Sequence, residues 1–235
     1  MHRCWLSPQL VLGMFPEWYG PPQRDWPAQI RLTGFPMFDG ATGNGLGSDL
    51  IDFCRTADPP IVFTFGTGMM YAARFLHQAI GACWELNRRG ILLTRHKEQL
   101  PPSLPPFMRH CEFAPFRQLF PECAAVVHHG GVGTVANALA TATPQLIVPF
   151  AFDQFDNAVR VKRLRCGDWL KTKHATGENM AKKLKRLFAL KARQPCLEIA
   201  ARFQAGNGLE TAADLIEQFT MEGNPAHAGS LPKTL

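Results

Sequence analysis

Residues 124–140 read Ala-Ala-Val-Val-His-His-Gly-Gly-Val-Gly-Thr-Val-Ala-Asn-Ala-Leu-Ala, and the character of the run changes in its middle. Ala124 to Val127 is continuously apolar, the pattern of a strand buried on both faces. The glycines at 130, 131 and 133 then allow a tight turn, and from about Thr134 the chain continues with a helical pattern. Strand, glycine-rich turn and helix together form the repeating unit of a parallel α/β sheet.

The same unit recurs on both sides. Upstream, a short helix starts after Ser48, read as its N-cap, and reaches about Ala57. The β-rich run Ile61 to Phe65 stops at Gly66-Thr67-Gly68 and gives way to a helix in which Ala72, Leu76, Ala79, Ile80, Cys83 and Leu86 share one face. Arg88 and Arg89 suit its last turn and Gly90 its C-terminal cap. Strands follow at Ile91 to Arg95 and near His110 to Phe113, separated by a Pro-rich loop, with a short turn around Phe116 to Phe120. Downstream lie a strand from Gln145 to Val148, a helix from Gln154 to Cys166 capped by Gly167, and helices near Glu178 to Leu190, Pro195 to Phe203 and Leu209 to Phe219. The alternation predicts an α/β fold, a Rossmann-like doubly wound parallel sheet with right-handed crossovers over residues 48–220. Residues 221–235 read as a flexible tail.

Residues 1–47 have another character. One apolar run, Gln9 to Phe15, precedes a stretch crowded with proline and glycine, read as a strand followed by an ordered linker. Its aromatics, Phe15, Trp18, Tyr19, Trp26, Phe35 and Phe38, are too many for a floppy tether and are expected to pack against the body rather than bind nucleic acid.

With 235 residues and 46% hydrophobic side chains, the chain can bury one substantial core. No run approaches the roughly twenty uninterrupted apolar residues that span a bilayer. No signal-peptide cleavage site follows Met1 to Trp5, so the chain is read as cytoplasmic. Seven widely spaced cysteines contain no C-x-x-C pair and read as reduced, mostly buried thiols. From Arg160 to Arg193 twelve basic residues face only Asp168 and Glu178, which makes the segment +10 within a chain of +6. Such a field attracts an anionic lipid surface, a nucleic acid or an acidic ligand, unless it is simply a solvated helix face.

In an open α/β sheet the ligand crevice lies beyond the carboxyl ends of the strands. Four such ends carry unusual residues: Gly66-Thr67, Phe113-Ala114-Pro115, His128 to Thr134, and Asp153-Gln154. Glycine-rich turns opening helices let backbone N–H groups approach an anion while the helix dipole favours negative charge, so the first and third are candidate phosphate cradles. A nucleoside-triphosphatase loop needs Gly-Lys-Ser/Thr, and Gly133-Thr134 has no Lys between. A dinucleotide fingerprint matches formally at Gly131-x-Gly133-x-x-Ala136, with Asp153 twenty residues beyond Gly133, but that acid stands several residues past its strand. Adjacent histidines in a tight turn seldom converge on one metal ion, and no nearby Cys joins them. Phe113 as core and Asp153 as a mere helix cap remain open readings.

Phe-Ala-Pro-Phe at 113–116, His-His-Gly-Gly-Val-Gly-Thr at 128–134, Pro144, Val-Pro-Phe at 148–150 and Asp-Gln at 153–154, in this order and spacing, resemble the donor-binding signature of nucleotide-sugar glycosyltransferases of the GT-B fold. The likeness is greatest to the UDP-glycosyltransferase superfamily and its bacterial sterol- and antibiotic-glycosylating relatives, and it extends over roughly residues 9–219. It implies that the chain is one GT-B half and that UDP-sugar is the donor. Phe113 would stack on uracil and the Ala114 main chain would read the base edge. His129 with Gly131, Gly133 and Thr134 would hold the diphosphate, assisted by Gly66 and Thr67, with His128 structural. Asn137 would bond the ribose where relatives commonly use Glu, and Asp153 and Gln154 would bond the sugar hydroxyls. No cofactor and no metal are expected, since no Asp-x-Asp pair is present to hold magnesium.

The resemblance also implies a missing part. A GT-B enzyme takes its acceptor, and usually a His base, from a separate N-terminal domain, whereas only about 65 residues precede Gly66. Residues 1–47 then read as a remnant strand and interdomain linker, and the catalytic residues are unknown. Three readings follow: the donor-binding half of a UDP-sugar glycosyltransferase, as a truncated product or one chain of two; a catalytically silent nucleotide-binding or partner-docking module; and an NAD-type domain. Expected partners are UDP-sugar, an acceptor-binding domain or chain, and an anionic membrane touched peripherally through 160–193, with no nucleic acid.

Overall fold

The computed structural model describes residues 6–37, 45–66, 73–189, 193–205 and 208–221. Along the chain these form β1 (Val11–Gly13), β2 (Ile30–Leu32), α1 (Ser48–Arg55), β3 (Ile61–Thr64), α2 (Ala73–Leu86), β4 (Gly90–Leu93), β5 (Met108–Cys111) and α3 (Phe116–Leu119). They continue with β6 (Ala125–His128), α4 (Val132–Ala140), β7 (Gln145–Ile147), α5 (Gln154–Arg163), β8 (Gly167–Trp169), α6 (Gly177–Ala189), α7 (Arg193–Ala200) and α8 (Gly208–Met221). The chain divides into two compact units, Met1–Met37 with Ala205–Leu235, and Phe38–Gln204.

In the first unit β1 pairs in parallel with β2, a strand that the glycine and proline content of the segment hides. Its aromatics pack on one another: Tyr19 lies 5.0 Å from Phe35 and Phe15 lies 6.1 Å from Trp26, both edge-on, the geometry the ring quadrupole favours. α8 starts directly on the backbone at Gly34, since a Cβ on Gly208 would lie 2.5 Å from the Gly34 carbonyl oxygen. Phe38 and the tail beyond Met221 lie outside the described residues.

The second unit is the predicted parallel sheet, with strand order β5-β4-β3-β6-β7-β8 and every pairing parallel. The chain runs outward through β3, β4 and β5, returns to place β6 beside β3, and runs outward again. The two halves therefore meet at the β3/β6 seam. β3, β4 and β6 are buried at every position, which requires helices on both faces. On one face α2 turns Phe75, Leu76, Ala79, Ala82 and Cys83 inward against Met180, Ala181, Leu184 and Leu187 of α6. Truncating a buried leucine here, such as Leu184, would cost roughly 2–5 kcal/mol.

Several boundaries differ from the sequence reading, each for a local reason. Ser48 is the first residue of α1 and caps nothing; Gly47 holds the N-cap position with no side-chain bond. Gly90 opens β4 instead of closing α2, because Asn87, with φ 50°, already turns the chain. A Cβ at Gly90 would lie 2.6 Å from Cys83 Sγ, so this glycine permits close packing and not a cap. Gly167 likewise opens β8, an edge strand not foreseen, after Arg165 at φ 59° ends the α5 turn. α4 starts two residues before Thr134, at Val132. The strand expected near His110 to Phe113 is displaced to Met108–Cys111, which frees Phe113 from the sheet.

Candidate functional site

At the β3/β6 seam the carboxyl ends of β3, β4, β5 and β6, together with the loop after β7, enclose a cleft of about 880 Å³. A crevice is expected where the winding direction of the sheet reverses, because adjacent loops diverge to opposite faces there. Of the residues singled out from the sequence, Gly66, Phe113, Ala114, His129, Gly131, Gly133, Thr134, Asn137 and Gln154 line it. Thr67 lies outside the described residues. Asp153 is exposed and does not line the cleft.

The floor is built from the β6–α4 turn. His128, the last residue of β6, is fully buried; its Nε2 lies 2.9 Å from the Gln145 Oε1 and its Nδ1 accepts the Gly130 N–H at 3.1 Å. The ring is therefore the Nε2–H tautomer, donating to Gln145, and burial pushes its pKa down to about 3. His128 fixes the turn and does not face the cleft. Gly130, at φ +96°, then reverses the backbone and sends the His129 side chain into the cleft mouth. The His129 imidazole sits between two glycines: a Cβ on Gly66 would meet its Cε1 at 2.8 Å, and one on Gly131 its Nε2 at 2.5 Å. Burial lowers its pKa, opposed by the charge of Asp153, and its Nδ1 is buried with no hydrogen-bond partner.

Gly131 is the N-cap of α4 and offers no side chain to the first helical N–H groups. The first intrahelical bond is the Val135 N–H to the Gly131 carbonyl, so the N–H groups of Val132, Gly133 and Thr134 have no partner in the helix. One turn on, buried Asn137 donates Nδ2 to the Gly133 carbonyl at 2.9 Å, while its Oδ1 is buried and unbonded. Partial positive charge at a helix start and two buried polar atoms without partners describe a place prepared for an oxygen-rich anionic ligand.

The wall opposite is aromatic and basic. Phe113 is 48% exposed, which removes the core reading, and Arg95 places its guanidinium 5.6 Å from the ring centroid. Phe116 is stacked on Phe120 at 4.6 Å and lines the same wall. On the third side Gln154 accepts the N–H groups of Phe150 and Ala151 with one oxygen, at 2.8 and 3.1 Å. Asp153 occupies the N-cap position of α5 but makes no capping bond; its Oδ2 accepts from Asn157 Nδ2 at 2.8 Å.

Two residues were missed by the sequence reading. Arg95 ends β4, a strand whose carboxyl end the same crevice rule should have included. Asn157, buried on α5, donates to both the Gly130 carbonyl and Asp153, at 2.9 and 2.8 Å, and so ties the glycine turn to the loop that carries Asp153 and Gln154. No local signal marks it, because both partners are brought to it by the fold.

Comparisons with known proteins agree with this geometry. Residues 85–207 match the model of the family described as erythromycin biosynthesis protein CIII-like, C-terminal domain. The chain is 30% identical over 217 residues to O-mycaminosyltylonolide 6-deoxyallosyltransferase of Streptomyces fradiae, a match spanning 88% of this chain and 49% of that protein. It is 33% identical over 160 residues to a sterol 3-beta-glucosyltransferase of Arabidopsis thaliana, covering 65% of this chain and 23% of that one. Among solved structures, the glycotransferase of kitacinnamycin superposes with a TM-score of 0.76 at 20% identity, covering 90% of this chain and 55% of that chain. The glycosyltransferase VinC in complex with DTDP superposes with a TM-score of 0.65 at 24% identity, covering 88% and 51%. The chain thus spans about half the length of these two solved relatives and of the Streptomyces enzyme.

Proposed function

The chain belongs to the family of erythromycin biosynthesis protein CIII-like C-terminal domains, whose relatives are glycosyltransferases, and on that premise we propose that it is the half of such an enzyme that binds the nucleotide-sugar donor. One observation carries the reading: the unpartnered N–H groups at the start of α4, the unbonded Nδ1 of His129 and the unbonded Oδ1 of Asn137 converge on a single cleft with an exposed aromatic ring at its far wall. A nucleoside diphosphate fits that sequence of chemistries. Its base would stack on Phe113 with Arg95 at the ring, its ribose would reach Asn137, and its diphosphate would take the α4 N–H groups and His129. Gln154 and Asp153 would receive the sugar, through whichever polar atoms their bonds to the loop and to Asn157 leave over.

In the reaction, the anomeric carbon is displaced by an acceptor hydroxyl and the nucleoside diphosphate leaves. This chain's part would be to stabilise the charge growing on the leaving diphosphate, with dipoles already oriented before the bond breaks and no metal ion required. The base that removes the acceptor proton would come from a separate acceptor-binding domain or chain, and the work would take place in the cytoplasm. The base of the donor is uracil or thymine; a spinosyn rhamnosyltransferase with TM-score 0.72 is complexed with thymidine diphosphate and VinC with DTDP, so both nucleotides deserve equal trial.

The NAD-type reading has less support. It needs an acid at the end of the strand after the first glycine turn, and Thr94 and Arg95 occupy that end. Isothermal titration of the full chain with UDP, dTDP and NAD tests the proposal. Binding of a pyrimidine diphosphate that is lost in His129→Ala is expected; binding of NAD alone would overturn it.

A further inference from the structure

Within the sheet unit, three of the exposed large apolar side chains fall close together in sequence: Phe152 at 92% exposure, Phe155 at 44% and Val159 at 53%. Phe155 and Val159 are one helical turn apart on α5, and Lys162 and Arg163, both exposed, continue the same face one turn further. Asn157, Ala158 and Val161 form the buried side. The outer face of α5 is therefore apolar where it starts and basic where it ends. Phe152 holds a φ of 55°, a left-handed backbone that bulky side chains rarely adopt, and it does so with its ring in solvent.

The basic end is extended by exposed Arg165 and, across the edge strand, by the exposed Lys182, Lys185 and Arg186 of α6. The acids nearby are already engaged. Asp156 holds Arg160 at 2.6 Å, and Asp168 holds Lys162 at 3.4 Å and Lys183 at 2.5 Å. The ten positive charges in excess over 160–193 thus share one side of the unit with a protruding apolar ridge.

We infer that this ridge and its basic flank are a peripheral docking surface for an anionic lipid bilayer. Phe152, Phe155 and Val159 enter the headgroup layer, and Lys162, Arg163 and Arg165 meet the lipid phosphates. The complementarity points to lipid. A nucleic acid would satisfy the charge and leave a convex apolar ridge in water, and a second copy of this chain would bring two strongly basic segments together. The docking is independent of the nucleotide reading above.

Co-sedimentation of the full chain with sucrose-loaded vesicles tests it, using phosphatidylcholine alone and phosphatidylcholine with phosphatidylglycerol. The chain should sediment with the anionic vesicles, stay in solution with the neutral ones, and be released at about 0.5 M salt. The double variant Phe155→Ser/Val159→Ser should bind roughly tenfold more weakly, because apolar insertion supplies part of the affinity. Lys162→Gln/Arg163→Gln should lose a similar factor and flatten the salt dependence. Circular dichroism of each variant separates lost binding from lost folding. Failure of the wild-type chain to sediment with anionic vesicles, equal binding to neutral ones, salt-insensitive binding, or unchanged binding by both folded variants would each overturn the proposal. A dimer in analytical ultracentrifugation that Phe155→Ser/Val159→Ser dissolves would also overturn it, by assigning the ridge to a second copy.

Discussion

Gly66 and His129 touch across the β3/β6 seam, so closely that a single added methyl on Gly66 would stand 2.8 Å from the imidazole carbon between the two ring nitrogens. Gly66 also holds a φ of +82°, which disfavours any L side chain. Gly66→Ala is therefore expected to destabilise the chain by about 1–3 kcal/mol and to displace His129 from the cleft. Urea unfolding and titration with UDP or dTDP measure the two effects. Gly133→Ala is the contrast: nothing stands within 4 Å of its Cβ, so stability should be kept or raised by about 0.5 kcal/mol.

The exposed ring of Phe113 bears on base recognition. Phe113→Ala should weaken pyrimidine diphosphate binding by about 1–3 kcal/mol, the range for base stacking, while Phe113→Trp should strengthen it. Arg95→Ala, which removes the guanidinium 5.6 Å from the ring, should cost less, about 0.5–1 kcal/mol. Equal affinities across all three variants would place the base elsewhere.

Asn157 joins two parts of the site that are 27 residues apart in sequence, at Gly130, and four apart, at Asp153. Asn157→Ala leaves the Gly130 carbonyl without this buried donor and is expected to cost about 1–3 kcal/mol in stability. If the amide also aligns the glycine turn with the Asp153 loop, affinity for a nucleotide-sugar should fall more than affinity for the free nucleotide. Comparing the two by titration decides it.

His128 sets an acid limit. Its folded pKa of about 3 lies below the unfolded value near 6.5, so the unfolded chain takes up a proton that the folded chain refuses. The associated stability is complete above pH ~6.5, falls by up to ~1.4 kcal/mol per unit as pH drops, and stops falling below about 3. The lowered pKa of His129 acts in the same direction. Denaturant unfolding between pH 7 and 4 should show this slope, and His128→Gln should reduce it by about one proton.

The sheet was legible because its central strands are continuous apolar runs ending in glycine turns, a pattern that local sequence carries by itself. What could not be read was decided by contacts distant in sequence. β2 and β8, three residues each, have no period of their own and become strands only by pairing with β1 and β7. Gly90 and Gly167 look like helix caps in one dimension, yet each is a glycine because a neighbouring strand or side chain leaves no room for a Cβ. Within the site, the residues of the glycine turn were readable because their spacing is local. Asp153 was misjudged for the opposite reason: its carboxylate is claimed by Asn157, whose burial depends on how α5 meets the β6–α4 turn.

β8, at one border of the sheet, leaves one side of its backbone without a neighbouring strand, and such borders invite other chains to add strands. Here the border is only three residues long, and Asp168 at its centre is gripped by Lys162 from α5 and Lys183 from α6. A foreign strand would have to displace two ammonium groups from their carboxylate to gain at most a few ladder bonds. The arrangement works as a guard against edge-to-edge aggregation.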